Sequence, residues 1–286
     1  GKGCLLCILV LTLVPAAVSA QDGAGSTGAG YLLLPVGPRS ISLGEVNCAL
    51  PGDPFNWQFN PATLHTISGV GFGFSHTEWI VDTRYENVSL HYRWGDKLAL
   101  GAALTYLYRP EIQGFDEFGI ETESLRSNNY RAVLGLGFTP LEALTAGVNV
   151  KYFRETLADW SAGGAAFDIG ALLDIDRLNL AIGLAVQNIG QDISFDSIDE
   201  PLPLTMRFGA SHEAVNHDSD IKLLIAADLV KQRYEDLYFC GGAEIEIHNA
   251  VAIRAGYSAQ ESRTGNGFTA GGGFRVHERI MMDYAW

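Results

Sequence analysis

The sequence predicts an all-β protein: a closed antiparallel transmembrane β-barrel of about fourteen strands, thirteen of them visible in this chain, with a plug-like N-terminal segment. Three observations carry this. Large apolar residues alternate with small or polar ones at a period of two along most of the 286 residues. Past position 20 there is no apolar run of about 18 residues, which excludes helical membrane spans from that part. The composition, with 33 Gly, 14 Phe, 11 Tyr, 5 Trp and only 18% charged residues, is too apolar for disorder and unlike a long coiled coil.

Residues 1–20 read as a secretory signal peptide. Lys2 precedes an apolar stretch at 4–14, and Val18 and Ala20 suit the small-residue cleavage positions. The missing initiator Met and the single base suggest a true N-terminus further upstream. Residues 21–65 then form a lumenal plug segment, and residues 66–286 form the barrel.

Within the barrel, strands are expected near 66–76, 82–94, 96–109, 126–139, 143–156, 163–175, 178–190, 202–213, 220–232, 237–248, 250–259, 266–277 and 279–286. The third shows the pattern plainly: Leu98, Leu100, Ala102, Leu104, Tyr106 and Tyr108 oppose Ala99, Gly101, Ala103 and Thr105. A soluble barrel would need an apolar interior, but here the second face is Gly, Ala, Ser, Thr, Asn and occasional charge, so the apolar face is the one that meets lipid. Tyr92, Trp94, Tyr106, Tyr108, Phe138, Tyr152 and Tyr257 fall near strand ends, where interfacial girdles belong. Every backbone amide in hydrocarbon needs a partner, so such strands imply closure.

Short turns at 95–96, 140–142, 176–177, 248–249 and 277–278 alternate with longer connections at 110–125, 157–162, 191–201 and 259–265. Short turns face the periplasm in bacterial outer-membrane barrels, which puts the N-terminal segment there. Even strand number then predicts a further strand beyond Trp286.

The candidate lumen-lining residues are Arg93, Arg131, Lys151, Asp168, Arg207, Arg254 and Arg275, beside Asp174, Asp228, Glu244, Glu246 and Asp283. They read either as solute-selecting groups or as an ion-pair network that fills the barrel. Inward glycines leave room for a plug or for a narrow apolar ligand. Asn60, Pro61 and Ala62 form either a plug-positioning turn or a polar hinge.

Other chemistries find no support. Net charge −14 argues against nucleic acid. His76 with Glu78, and His212 with Glu213, lack a third ligand, so no metal site is expected. The glycines at 265–273 lack the Lys-Ser or Lys-Thr of a phosphate loop, and no nucleophile elbow is present, so no catalytic residue and no cofactor are expected. Cys48 and Cys240 read as free buried thiols, with a plug-pinning disulfide as the alternative. The acidic loop around Glu111, Asp116, Glu117, Glu121 and Glu123 reads as solvated, with a divalent ion or a basic partner as the alternative.

The order of several short words gives a family resemblance: Gly37-Pro38-Arg39-Ser40-Ile41-Ser42-Leu43-Gly44, Asn60-Pro61-Ala62-Thr63-Leu64, Asp116-Glu117-Phe118-Gly119, Phe167-Asp168-Ile169-Gly170 and Arg254-Ala255-Gly256-Tyr257. The chain resembles the PorV/PorQ family of outer-membrane proteins, distant relatives of the FadL fatty-acid channels. The resemblance implies a fourteen-stranded barrel with an N-terminal segment in or under the lumen, including a short helix near Ile41 to Ala49. It also implies a non-enzymatic role in protein secretion or surface attachment, as a type IX-like shuttle or scaffold in the bacterial outer membrane. The partners would be outer-membrane lipid, secreted cargo proteins or secretion-machinery subunits. The alternative is a FadL-like channel for small hydrophobic molecules.

Overall fold

The computed structural model describes residues 27–286 except 80, 112, 125–126, 159, 196–197, 217–218 and 261–265. The expected signal peptide lies outside the described residues. Thirteen strands form one antiparallel sheet in which each strand pairs with its neighbours in sequence order, apart from one small hairpin that the order skips. The strands are β1 (Val70–Glu78), β2 (Arg84–Trp94), β3 (Leu98–Tyr108), β4 (Ser127–Leu141), β5 (Leu144–Leu157), β6 (Trp160–Ile175), β7 (Leu180–Gly190), β10 (Thr205–Asn216), β11 (Ile221–Gln232), β12 (Tyr238–Ile247), β13 (Val251–Ser258), β14 (Phe268–His277) and β15 (Ile280–Ala285). The skipped hairpin is β8 (Ile193–Phe195) with β9 (Ile198–Glu200).

All thirteen expected wall strands are present, and three local readings need correction. The connection at 157–162 is not a long loop, because β5 runs to Leu157 and β6 starts at Trp160 with Leu157 opposite it. The stretch 191–201 holds the β8–β9 hairpin. The first strand starts at Val70 rather than near 66, because Pro61 opens a tight helical turn over Pro61–Thr66 that Asn60 caps.

Alternation sets the two faces of the wall. In β3, residues 99, 101, 103, 105 and 107 are buried and 100, 102, 104, 106 and 108 are exposed. Exposed apolar side chains such as Leu104, Leu134, Ile169 and Ile253 form the lipid belt. Tyr130 and Tyr152, with ring centroids 6.3 Å apart, stand with Tyr106 and Tyr108 at one rim, and Tyr92, Trp94 and Phe138 at the other. Tight turns such as His248-Asn249, at φ 51° and 50° and closed by Ala250 N donating to Ile247 O at 3.0 Å, reverse the chain at this second, turn-bearing end.

The sheet curls around residues 27–67. A Cβ added at Gly73 in β1 would lie 2.7 Å from the Phe55 ring, and one added at Gly271 in β14 would lie 2.5 Å from Ser42 Cβ, so one segment touches strands near both edges. Its short helix α1 spans Pro38–Ser42 and not the expected 41–49, because Gly44 at φ 75° and Glu45 at φ 69° leave helical geometry.

Candidate functional site

The lumen is built where inward residues of the wall meet the N-terminal segment. Backbone N–H and C=O groups shut away from water need partners, and irregular chain inside a barrel has no ladder to supply them. Wall side chains supply them here. Asp228 Oδ2 accepts from the N–H groups of Asn47 at 2.8 Å and Cys48 at 3.0 Å. Ser211 Oγ donates to Ala49 O at 2.7 Å, Asn149 Nδ2 to Trp57 O at 3.0 Å, and Gln187 Nε2 to Phe59 O at 2.7 Å. Thr269 Oγ1 donates to Ser42 O at 3.1 Å and accepts from Gly44 N at 3.0 Å.

A charged clamp reinforces this. Arg39 on α1 donates from Nη2 to Glu244 Oε1 at 2.7 Å, from Nε to Glu244 Oε2 at 2.9 Å and from Nη1 to Pro51 O at 2.6 Å. Burial alone would lower the affinity of Arg39 for its proton, but the bidentate Glu244 carboxylate outweighs it and holds the guanidinium firmly charged. Arg254 Nε also donates to Glu244, and its Nη1 donates to Asp283 Oδ1 at 2.6 Å. Leu43, Val46 and Leu50 pack with Leu224, Val230, Tyr238 and Cys240 beside the clamp. The wall glycines are the complementary mould: a Cβ at Gly256 would sit 2.2 Å from both Gly44 N and the Leu43 carbonyl carbon, a distance that only the absence of a side chain permits.

Asn60 joins plug and wall. Its Oδ1 accepts from Ala62 N at 3.1 Å, and its Nδ2 donates to Cys48 O at 2.6 Å and to Ala171 O in β6 at 3.3 Å. Pro61 and Ala62 lie against Gly147 of β5. Asn60 thus ties the turn over Pro61–Thr66 both to the segment at Cys48 and to strand β6. Asp53 is also buried, and its Oδ1 accepts from Phe55 N at 2.7 Å and Asn56 N at 3.2 Å. Burial pushes its carboxyl above the ordinary range while Arg39 and the N–H of Phe55 pull it back down.

Toward the loop-bearing end the lumen changes character. Residues 28–36, here called the strap, run through an apolar chamber: Ala29, Tyr31, Leu32 and Val36 meet Tyr85, Leu107 and Phe153 of the wall, Phe55 and Phe59 of the inner plug, and Ile193 and Leu202 above. Polar ties are few. Tyr31 Oη donates to Tyr130 O at 2.8 Å, and Tyr85 Oη to Leu34 O at 3.4 Å. Arg131, 1% exposed, donates to Leu32 O, Gln58 Oε1 and Thr105 Oγ1, all neutral, and its Nε has no partner among the described residues.

No protein-family model matches the chain, and no curated protein matches it in sequence. Solved structures do. CymD, a monoaromatic hydrocarbon channel, superposes with TM-score 0.61 at 14% identity, covering 88% of this chain and 92% of the other. A deltaS2S3 mutant of TodX, another monoaromatic hydrocarbon channel, gives 0.60 at 15% identity over 88% and 92%. A Pseudomonas aeruginosa FadL homologue gives 0.54 at 10% identity over 88% of each chain. The fold is that of FadL-type outer-membrane barrels.

In this barrel the other basic residues singled out from sequence, besides Arg131, fall into three groups. Arg207 lies with Asp228 at 3.5 Å, and Arg254 lies in the Glu244 clamp. Lys151 Nζ contacts Asp168 Oδ2 and Asn188 Oδ1, each at 2.9 Å, where a register shift between β6 and β7 after Phe167 gathers them. Arg93 and Arg275 instead sit at the turn-bearing rim, donating to His65 O at 3.1 Å and Asn249 O at 2.7 Å. Near that rim a cavity of about 230 Å³ opens between Pro51, Asp174, Asp176, Asn179, Ser211 and Glu213. Cys48 and Cys240 are free and buried. The sequence reading missed Asn149, Gln187 and Ser211 as plug holders, although each stands at an inward position of an alternating strand.

Proposed function

We propose that this barrel passes small hydrophobic molecules across the outer membrane, and that it does so without catalytic chemistry. The observation that carries the reading is the apolar chamber under the loop-bearing mouth, where the strap's own Tyr31, Leu32 and Val36 occupy a site lined by Tyr85, Leu107, Phe153, Ile193 and Leu202. An apolar molecule of similar bulk replaces those side chains with little change in buried surface, so it competes with the strap on equal terms. The hydrocarbon channels that share the fold support the same reading. Arg131 adds selectivity: when Leu32 O leaves, its Nη1 loses an acceptor, and a ligand bearing an oxygen acceptor supplies one.

The secretion role that the PorV/PorQ resemblance implies rests on sequence words alone. The test is uptake of radiolabelled toluene and octanoate by bacteria that carry a lipopolysaccharide leaflet and express the barrel. Several-fold faster uptake than in cells without it is expected. A correctly folded, membrane-inserted barrel that leaves uptake unchanged contradicts transport. Salt-stable co-purification of secreted proteins sharing a C-terminal β-domain would favour the shuttle instead.

A further inference from the structure

We infer that the apolar chamber takes short monocarboxylates and that Arg131 at its floor holds the carboxylate, an inference that rests on the transport reading above for the ligand's entry. The observation behind it is a charge left unmatched. Lys151, Arg207 and Arg254, the other described Lys and Arg side chains buried in the wall, each meet a carboxylate: Asp168 at 2.9 Å, Asp228 at 3.5 Å and Glu244. Arg131, 1% exposed, meets none among the described residues. It donates to Leu32 O at 3.3 Å and to Gln58 Oε1 and Thr105 Oγ1 at 3.2 Å each, and its Nε has no partner there. A guanidinium keeps its charge, and a buried charge without a counterion is expensive.

The register of the wall puts Arg131 at the boundary between two surfaces. Asn87, Thr105 and Phe153 stand in its row, and Tyr85, Leu107 and Asn129 stand in the next inward row toward the loops. Glu155, opposite Asn129 in that second row, makes no ion pair with Arg131. Gln58 of the inner plug closes the polar side: its Nε2 donates to Asn87 Oδ1 at 3.1 Å, and Asn87 Nδ2 donates to Thr105 Oγ1 at 2.7 Å. Tyr85, Leu107 and Phe153 line the apolar side with Tyr31 and Leu32. A ligand in the chamber therefore lays its head on Arg131 and its apolar body toward the mouth.

The chemistry of that head follows from what Leu32 O leaves behind. A hydrocarbon in its place orphans Nη1 as well as Nε, and an alcohol restores a hydrogen bond but not the missing charge. A carboxylate supplies both, to a cation whose desolvation is already paid. One negative charge is enough, because Lys151 is matched by Asp168 and the remaining surface toward the mouth is apolar, so a second carboxylate would be buried without a partner. Length is limited too. From Arg131 to Ser127, where β4 begins, the wall rises by about 13 Å, so a chain of more than roughly ten carbons reaches past it into water.

Equilibrium dialysis with the full-length barrel in phosphatidylcholine nanodiscs, corrected for binding to empty discs, tests this. At neutral pH octanoate should bind at least about tenfold more tightly than octan-1-ol or the dicarboxylate suberate. Its advantage over octan-1-ol should disappear at about pH 4 and below, where the probe's own carboxyl takes up a proton. Affinity should rise from hexanoate to decanoate and level off beyond it. Arg131→Gln should cost octanoate about tenfold more than it costs octan-1-ol.

Equal binding of octanoate and octan-1-ol by the unmodified barrel overturns the carboxylate site, as does an octanoate advantage that survives in a folded Arg131→Gln barrel. Affinity that keeps climbing through tetradecanoate overturns the length limit. The wild-type comparison and its pH dependence need no variant, so they decide the matter even if Arg131→Gln does not fold. Octan-1-ol bound with no advantage for octanoate leaves the transport reading standing, whereas tight octanoate binding by a barrel that speeds no uptake sinks transport and keeps the site.

Discussion

The two halves of the N-terminal segment lie in the same lumen and are held by different physics. Residues 38–66 are fixed by directional bonds: the Arg39–Glu244 clamp, Asp228 on two successive N–H groups, and Ser211, Asn149 and Gln187 each on one carbonyl. The strap combines packing against Tyr85, Leu107, Phe153 and Ile193 with neutral bonds, from Tyr31 Oη to Tyr130 O, from Tyr85 Oη to Leu34 O and from Arg131 to Leu32 O, and lacks the bidentate ion pair and the carboxylate on successive N–H groups that hold 38–66. A hydrophobic visitor can replace non-directional contacts, but it cannot offer the geometry that a row of backbone groups requires. On the proposed transport reading, the same segment provides a fixed plug and a displaceable piece.

The sharpest contrast is between two glycines. Gly256→Val drives a side chain into the backbone of Leu43 and Gly44, neither of which can swing away, and should cost about 3 kcal/mol or more, read as a lower urea midpoint or loss of the heat-modifiable folded band on gels. Gly30→Ala in the strap, where nothing lies within 4 Å of the new atom, should change stability by less than about 0.5 kcal/mol.

Next in size is Arg39→Met. It leaves Glu244 with Arg254 as its remaining cation, so about 2 kcal/mol should be lost, less than the full penalty of an orphaned buried charge. Leu32→Ala should sharpen the comparison from the other side. Global unfolding should shift by less than about 1 kcal/mol, because the strap opens without the rest of the barrel, while exchange of residues 28–36 rises clearly.

The smallest expected effect is a pH slope. Burial raises the Asp53 carboxyl above its ordinary value of 3.8, so the folded state holds that proton more tightly than the unfolded chain does. Its contribution is therefore fully present below that value and is lost as pH rises through the folded one. Asp53→Asn keeps the Oδ1 acceptor for Phe55 N and Asn56 N and should flatten the loss of stability as pH rises above the ordinary carboxyl value, measured by urea unfolding.

How much of this was legible in the sequence follows from range. Period-two alternation is local, so the wall strands and their lipid face could be read directly, as in Leu98 to Tyr108. The buried charges at Arg131, Lys151, Arg207 and Arg254 could be read as inward for the same reason. Their partners could not, because Arg39 meets Glu244 across 205 positions and Cys48 N meets Asp228 across 180, and alternation carries no information about such pairs. The β8–β9 hairpin was also hidden: its three-residue strands are too short for a periodic signal, and Asp192, Asp199 and Glu200 give the stretch the look of a solvated loop. Helix α1 was misplaced because Gly44 and Glu45 turn the chain into left-handed geometry before position 49.

The most direct test of unequal plug halves is backbone hydrogen exchange of the detergent-solubilised barrel, followed by mass spectrometry with and without toluene. Peptides from 28–36 should exchange at least roughly tenfold faster than those from 38–66, and toluene should raise exchange in the strap alone. Equal protection of the two halves, or a toluene response in 38–66, would contradict the account.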